Sequence, residues 1–137
     1  MVEIDIFYEG NLSTRCVHKQ SGQEITTDAP KDNQGRGVLF SPTDLVAAAL
    51  GSCILTIMGI LAARMKIDLI GTKLTITKEM QQAPARRIGK LTVVLTSPHR
   101  FDPETTKRLE SAAESCPVHH SLHPDIVQEF IYNWGQP

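Results

Sequence analysis

Neither sign of charge is in excess in this 137-residue chain: 14 Lys and Arg stand against 15 Asp and Glu. Nucleic acid and anionic lipid both reward a strong basic excess, so neither is expected as the main partner. Aromatic residues are scarce. The 4 Phe, 2 Tyr and 1 Trp are too few for a base-stacking platform. Cysteines number 3, at Cys16, Cys53 and Cys116, and an odd count does not read as a secreted disulfide framework. The opening MVEIDIFYEG is acidic and alternating, without the charged-then-apolar pattern of a signal peptide. A cytoplasmic protein is therefore expected, in which a thiol is kept for its chemistry, for a metal or as a small core residue. No Gly-rich phosphate loop, Walker sequence or GxSxG elbow occurs, and no cofactor is expected.

What is present is a globular composition, with 41% hydrophobic and 21% charged residues. Internal repeats and linkers are missing, so residues 1–137 are expected to form a single domain. Residues 45–63 carry no charge, a length that approaches a membrane span. Much of that stretch is Ala, Gly, Ser and Thr, which insert weakly into lipid. It reads better as a helix apolar on all sides, buried in a core or a dimer interface, and no membrane association is expected.

Residues 2–8 alternate, with Val2, Ile4, Ile6 and Tyr8 on one face, and predict a strand with that face buried. Glu9-Gly10-Asn11 supplies a turn, residues 13–19 a second strand and residues 24–27 a short third. Residues 29–37 form a polar loop rich in breakers. Ser41 then Pro42 is the strongest helix start, with Asp44 placed for a capping box, and the helix is expected to run to about residue 66. Residues 72–78 and 88–96 predict a hairpin with a long turn. Asp102-Pro103 opens a helix to about residue 115, and Cys116-Pro117 restarts a short one through residue 122. In residues 125–134, Ile126, Gln128, Phe130, Tyr132 and Trp134 alternate. A helical spacing also fits, but the β-formers favour a strand. The expected fold is α+β in the order βββ-α-ββ-α-α-β.

Three features could carry chemistry. Cys53 lies within the apolar helix, where a small core residue is the plain reading. Cys116, as an N-cap before Pro117, faces unpaired N–H groups and the positive end of a helix, which favour thiolate. Cys16, in a strand, reads as structural. The run from Cys116 to His123 offers one sulfur and three imidazoles, but no CxxC, HExxH or second ligand cluster accompanies it. It reads as a surface helix with solvated histidines, and no metal is expected.

The segment SPTDLVAAALGSC, residues 41–53, followed by Cys116-Pro117-Val118, resembles the OsmC/Ohr family, in particular its less characterised OsmC-like branch. The resemblance implies that family's fold, with the long helix buried in an intertwined homodimer. It also implies a thiol-dependent peroxidase acting on organic hydroperoxides in oxidative-stress defence. Cys53 would be the attacking thiolate, Cys116 the resolving thiol, and an external dithiol the reductant. Family peroxidases place a glutamate directly after the helix-start proline, holding an arginine from the N-terminal strand region. Here that position is Thr43, with Asp44 one residue later. One residue turns a helical side chain by about 100°, so Asp44 reads as a capping acid. Arg15 and Arg36 are the candidate arginines. The helix-end argument makes Cys116 the more acidic thiol, whereas the resemblance makes Cys53 the attacker. A second functional reading on the same fold is a non-catalytic redox sensor or a binder of a small apolar ligand.

Overall fold

In a computed structural model all 137 residues are described, and they fall into two compact units, residues 1–46 and 47–137. The first unit holds strands β1 (Ile4–Gly10), β2 (Ser13–His18) and β3 (Glu24–Asp28), paired antiparallel in that order. Gly10, Asn11 and Leu12 all take positive φ at the first hairpin, so the Gly10-Asn11 pair does the work assigned to it in the sequence. A 3-10 turn, Lys31–Asn33, occupies the polar loop.

The expected buried face of β1 is not covered within the chain. Ile4, Ile6 and Tyr8 are 55%, 65% and 69% exposed, and Phe7 on the other face is 45% exposed. The alternation is real, but the first unit has no second layer of its own to receive it. Its buried residues, Thr27, Asp28 and Ser41, are polar. Asp28 is satisfied by Arg36, whose Nη2 reaches both carboxylate oxygens at 3.2 and 3.3 Å.

Helix α1 (Pro42–Met65) begins where the capping signals place it. The Asp44 N–H donates to Ser41 Oγ at 3.1 Å and the Ser41 N–H donates to Asp44 Oδ2 at 2.9 Å, a reciprocal box. By length and composition α1 is long and apolar enough to cross a membrane. Ala47, Leu50, Gly51, Ile54, Met58 and Ala62 form a buried row at helical spacing. Gly51 faces Ile76, where an added Cβ would stand 3.1 Å from the Ile76 Cδ1. The opposite row, which includes Ala48, Ser52, Thr56 and Ile60, is exposed in the single chain.

In the second unit, β4 (Lys73–Gln81) and β5 (Arg87–Ser97) pair antiparallel, and β6 (Val127–Trp134) adds parallel to β5. The ambiguous last segment is thus a strand. A parallel neighbour requires a crossover, and α2 (Pro103–Ala113) and α3 (Pro117–Ser121) provide it. The pairing skips Gly89, a bulge that brings Ile88 and Leu91 onto one buried row with Val93 and Leu95. Leu91 is fully buried in this middle strand. Leu91→Ala is expected to lower unfolding free energy by about 2–5 kcal/mol, measured by equilibrium denaturation.

Asp102 caps α2 through the Thr105 N–H at 2.8 Å and the Thr105 hydroxyl at 3.1 Å. These bonds favour the carboxylate and hold Asp102 below its ordinary value of 3.8. A depressed folded pKa stabilises the fold above the unfolded value, and the contribution is lost as pH falls through the folded one. Asp102→Asn keeps a cap but removes the titration. Its thermal midpoint is expected to fall less steeply than that of the wild type below about pH 4.

Candidate functional site

Cys53 sits on α1 between Ser52 and the buried Ile54 and is half-buried. Cys116 is fully buried at the joint between α2 and α3. On α2, Leu109 and Ala113 are also fully buried, and Cys116 continues their spacing across the break, so the chain delivers its sulfur to the same interior side. The fold closes the gap of 62 residues between the two cysteines: Cys53 and Cys116 are neighbours close enough to influence each other, both reduced.

Cys116 is the N-cap of α3, and its Sγ accepts the His119 N–H at 3.2 Å, as the Cys-Pro signal implies. The expected acidity does not follow. Burial pushes the Cys116 thiol above its ordinary value of 9.0, and the neighbouring Cys53 raises it further. The N–H groups of His119 and Val118 pull the other way and are outweighed. A five-residue helix has little dipole to offer, whereas full burial withholds water from the thiolate. Cys116 is therefore suited to stay protonated, and the expectation of an acidic thiol at this helix end is corrected.

The histidines also differ from expectation. His119 is half-buried, and its Nδ1 is hydrogen-bonded to Gln128 Oε1 on β6. The Gln128 Nε2 donates to the His119 carbonyl at 3.3 Å, and the His119 ring packs edge-on against Phe130 with centroids 5.5 Å apart. Only His120 and His123 are exposed. Residue typing alone did not single out Gln128. Its signal was its place as the one amide in the alternating row Ile126, Gln128, Phe130, Tyr132, Trp134.

Both candidate arginines have carboxylate partners within the first unit. Arg15 bonds Glu9 at 2.8 Å and Glu24 at 3.1 Å, with its guanidinium carbon 4.6 Å from the centre of the Phe7 ring. Arg36 holds Asp28. Asp44 serves the cap of α1. Cys16 lies half-buried in β2, in register with Ile6 and Ile25.

Comparison with known proteins places these features in context. The OsmC-like protein family matches residues 33–130, a span that includes both cysteines. A solved structure from Psychrobacter arcticus 273-4, named for osmotic-stress induction and a detoxification response, is 46% identical. It superposes with a TM-score of 0.91 and 96% of each chain covered. An organic hydroperoxide resistance protein from Legionella pneumophila is 15% identical, with a TM-score of 0.78 over 97% of this chain and 96% of that one. A protein from Vibrio cholerae, named for organic hydroperoxide resistance and holding captopril in one of its active sites, is 16% identical. Its TM-score is 0.76 over 97% of this chain and 91% of that one. At these lower identities the likeness is one of fold. No curated protein matches the sequence.

Proposed function

Because the chain belongs to the OsmC-like protein family, we propose that it is a thiol-dependent peroxidase that reduces organic hydroperoxides in the cytoplasm. The observation that carries this reading is the proximity of a half-buried Cys53 and a fully buried Cys116. The Cys53 thiolate attacks the distal oxygen of ROOH. The O–O bond breaks, ROH leaves with a proton, and Cys53 becomes a sulfenic acid. Cys116 sulfur then attacks the Cys53 sulfur. The S–O bond breaks, and the hydroxide leaves as water with the Cys116 proton, giving a disulfide. An external dithiol reduces that disulfide by exchange.

The division of labour follows from burial. Cys53 is the cysteine of the pair with solvent access, so a substrate can reach it, and the half-buried Leu55 and Ile57 beside it in sequence supply apolar surface for an alkyl group. Cys116, enclosed and held protonated, is protected from peroxide until the sulfenic acid forms beside it.

The working unit in this proposal is a homodimer. Ile4, Ile6, Tyr8 and Ile25 of the first sheet, and separately the outer row of α1, are exposed in the single chain, apolar side chains that a second copy would cover. Steady-state consumption of cumene hydroperoxide with dithiothreitol as reductant tests the function. A peroxidase turns over many equivalents, whereas a sensor or binder consumes one and stops.

A further inference from the structure

The resolving cysteine sits on a helix too short to hold itself. An isolated helix of five residues is far below the length at which helical hydrogen bonds sustain a helix in water. Tertiary contacts must therefore fix α3. Its polar anchor is Gln128. The amide nitrogen of a glutamine can only donate, and that of Gln128 donates to the His119 carbonyl. The amide oxygen therefore faces His119 Nδ1, and that nitrogen must carry the hydrogen. One side chain on β6 thus grips one residue of α3 at both its backbone and its ring. That same residue gives its N–H to the Cys116 sulfur. Phe130, two positions along the inward row of β6, supports the ring from another side.

We propose that Gln128 is a positioning residue for the resolving thiol, holding His119 and through it the first turn of α3, so that the Cys116 sulfur is presented to Cys53. The role presupposes the two-cysteine chemistry proposed above and adds a residue to it. Gln128 touches neither sulfur, so its effect falls on disulfide formation and spares the attack of Cys53 on peroxide. In that step the Cys116 S–H and the Cys53 S–O bonds break, an S–S bond forms, and water leaves.

Two variants test the clamp, Gln128→Leu and Gln128→Met. Both suit a strand and approximate the volume of glutamine while deleting both hydrogen bonds. In buffers of reduced and oxidised dithiothreitol, the fraction of Cys53–Cys116 disulfide gives the effective concentration of one thiol for the other. Each variant is expected to lower it about tenfold or more. In stopped-flow reaction with cumene hydroperoxide, the concentration-dependent first phase should be unchanged. The first-order second phase should slow by a similar factor, with more sulfinic acid on Cys53 at excess peroxide. An unchanged disulfide equilibrium and second phase in both variants would overturn the proposal. So would a lowered thermal midpoint with the equilibrium unchanged, since that marks a purely structural residue. The redox-buffer arm uses no peroxide. A wild-type protein that forms the disulfide but does not turn over hydroperoxide therefore counts against the peroxidase reading and leaves the clamp standing.

Discussion

Replacing Cys53 by serine is expected to abolish turnover of organic hydroperoxides, with a loss in kcat/KM of about a thousandfold or more, because a hydroxyl at neutral pH is a far weaker nucleophile than a thiolate. Cys116→Ser should behave differently. Its first phase should keep the wild-type rate, and the reaction should then stop after one equivalent for want of an internal partner. The asymmetry rests on burial. Cys116 is enclosed and pushed toward its protonated form, while Cys53 is half-buried on α1. Equal losses of first-phase rate in the two variants would contradict this assignment.

The second large effect concerns assembly. Sedimentation at micromolar concentration is expected to give twice the 15.1 kDa mass of the chain. The surface to be covered is the apolar side of the first sheet, where Ile6 is 65% exposed although it alternates like a core residue. Ile6→Lys places a charge there. For an isolated chain this is a surface change worth within about 0.5 kcal/mol. In a dimer that buries the position, the same change should weaken association about a hundredfold or more, near 3 kcal/mol, and lower activity in parallel. A wild-type protein that sediments as a stable monomer, or an Ile6→Lys variant with unaltered association, would count against the dimer.

Much of the fold could be read from particular residues. The three helix starts at Ser41, Asp102 and Cys116 each combine a capping side chain with a following proline, and each begins where that pair places it. The last strand emerged against a competing helical spacing because Phe130, Ile131, Tyr132 and Trp134 prefer a pleated surface. What escaped were quantities of depth. Alternation in β1 shows which side chains share a face but not whether a layer of the same chain covers that face, and here none in the first unit does. The Cys-Pro pair shows that a sulfur caps a helix. Whether that sulfur is acidic depends on how much water reaches it, which is a property of packing distant in sequence. His119 illustrates the same gap. The residues that follow it, His120 and Ser121, are polar, yet its ring is held by Gln128 and Phe130, nine and eleven positions away.

Departures from the family's pattern also have local explanations. Thr43 stands where family peroxidases carry a glutamate, and Asp44 is drawn into a reciprocal cap with Ser41. Arg15 and Arg36 each neutralise carboxylates of their own unit, and for Arg36 the partner is the buried Asp28. The thiol pair, by contrast, is intact, which is why the functional reading rests on it.

Peptide mass spectrometry of the two single-cysteine variants after one equivalent of cumene hydroperoxide tests that reading most directly. A sulfenic acid trapped on Cys53 in the Cys116→Ser protein, with Cys116 unmodified in the Cys53→Ser protein, is the predicted result. Sulfenic acid on Cys116 in the Cys53→Ser protein, with none on Cys53 in the Cys116→Ser protein, would contradict it.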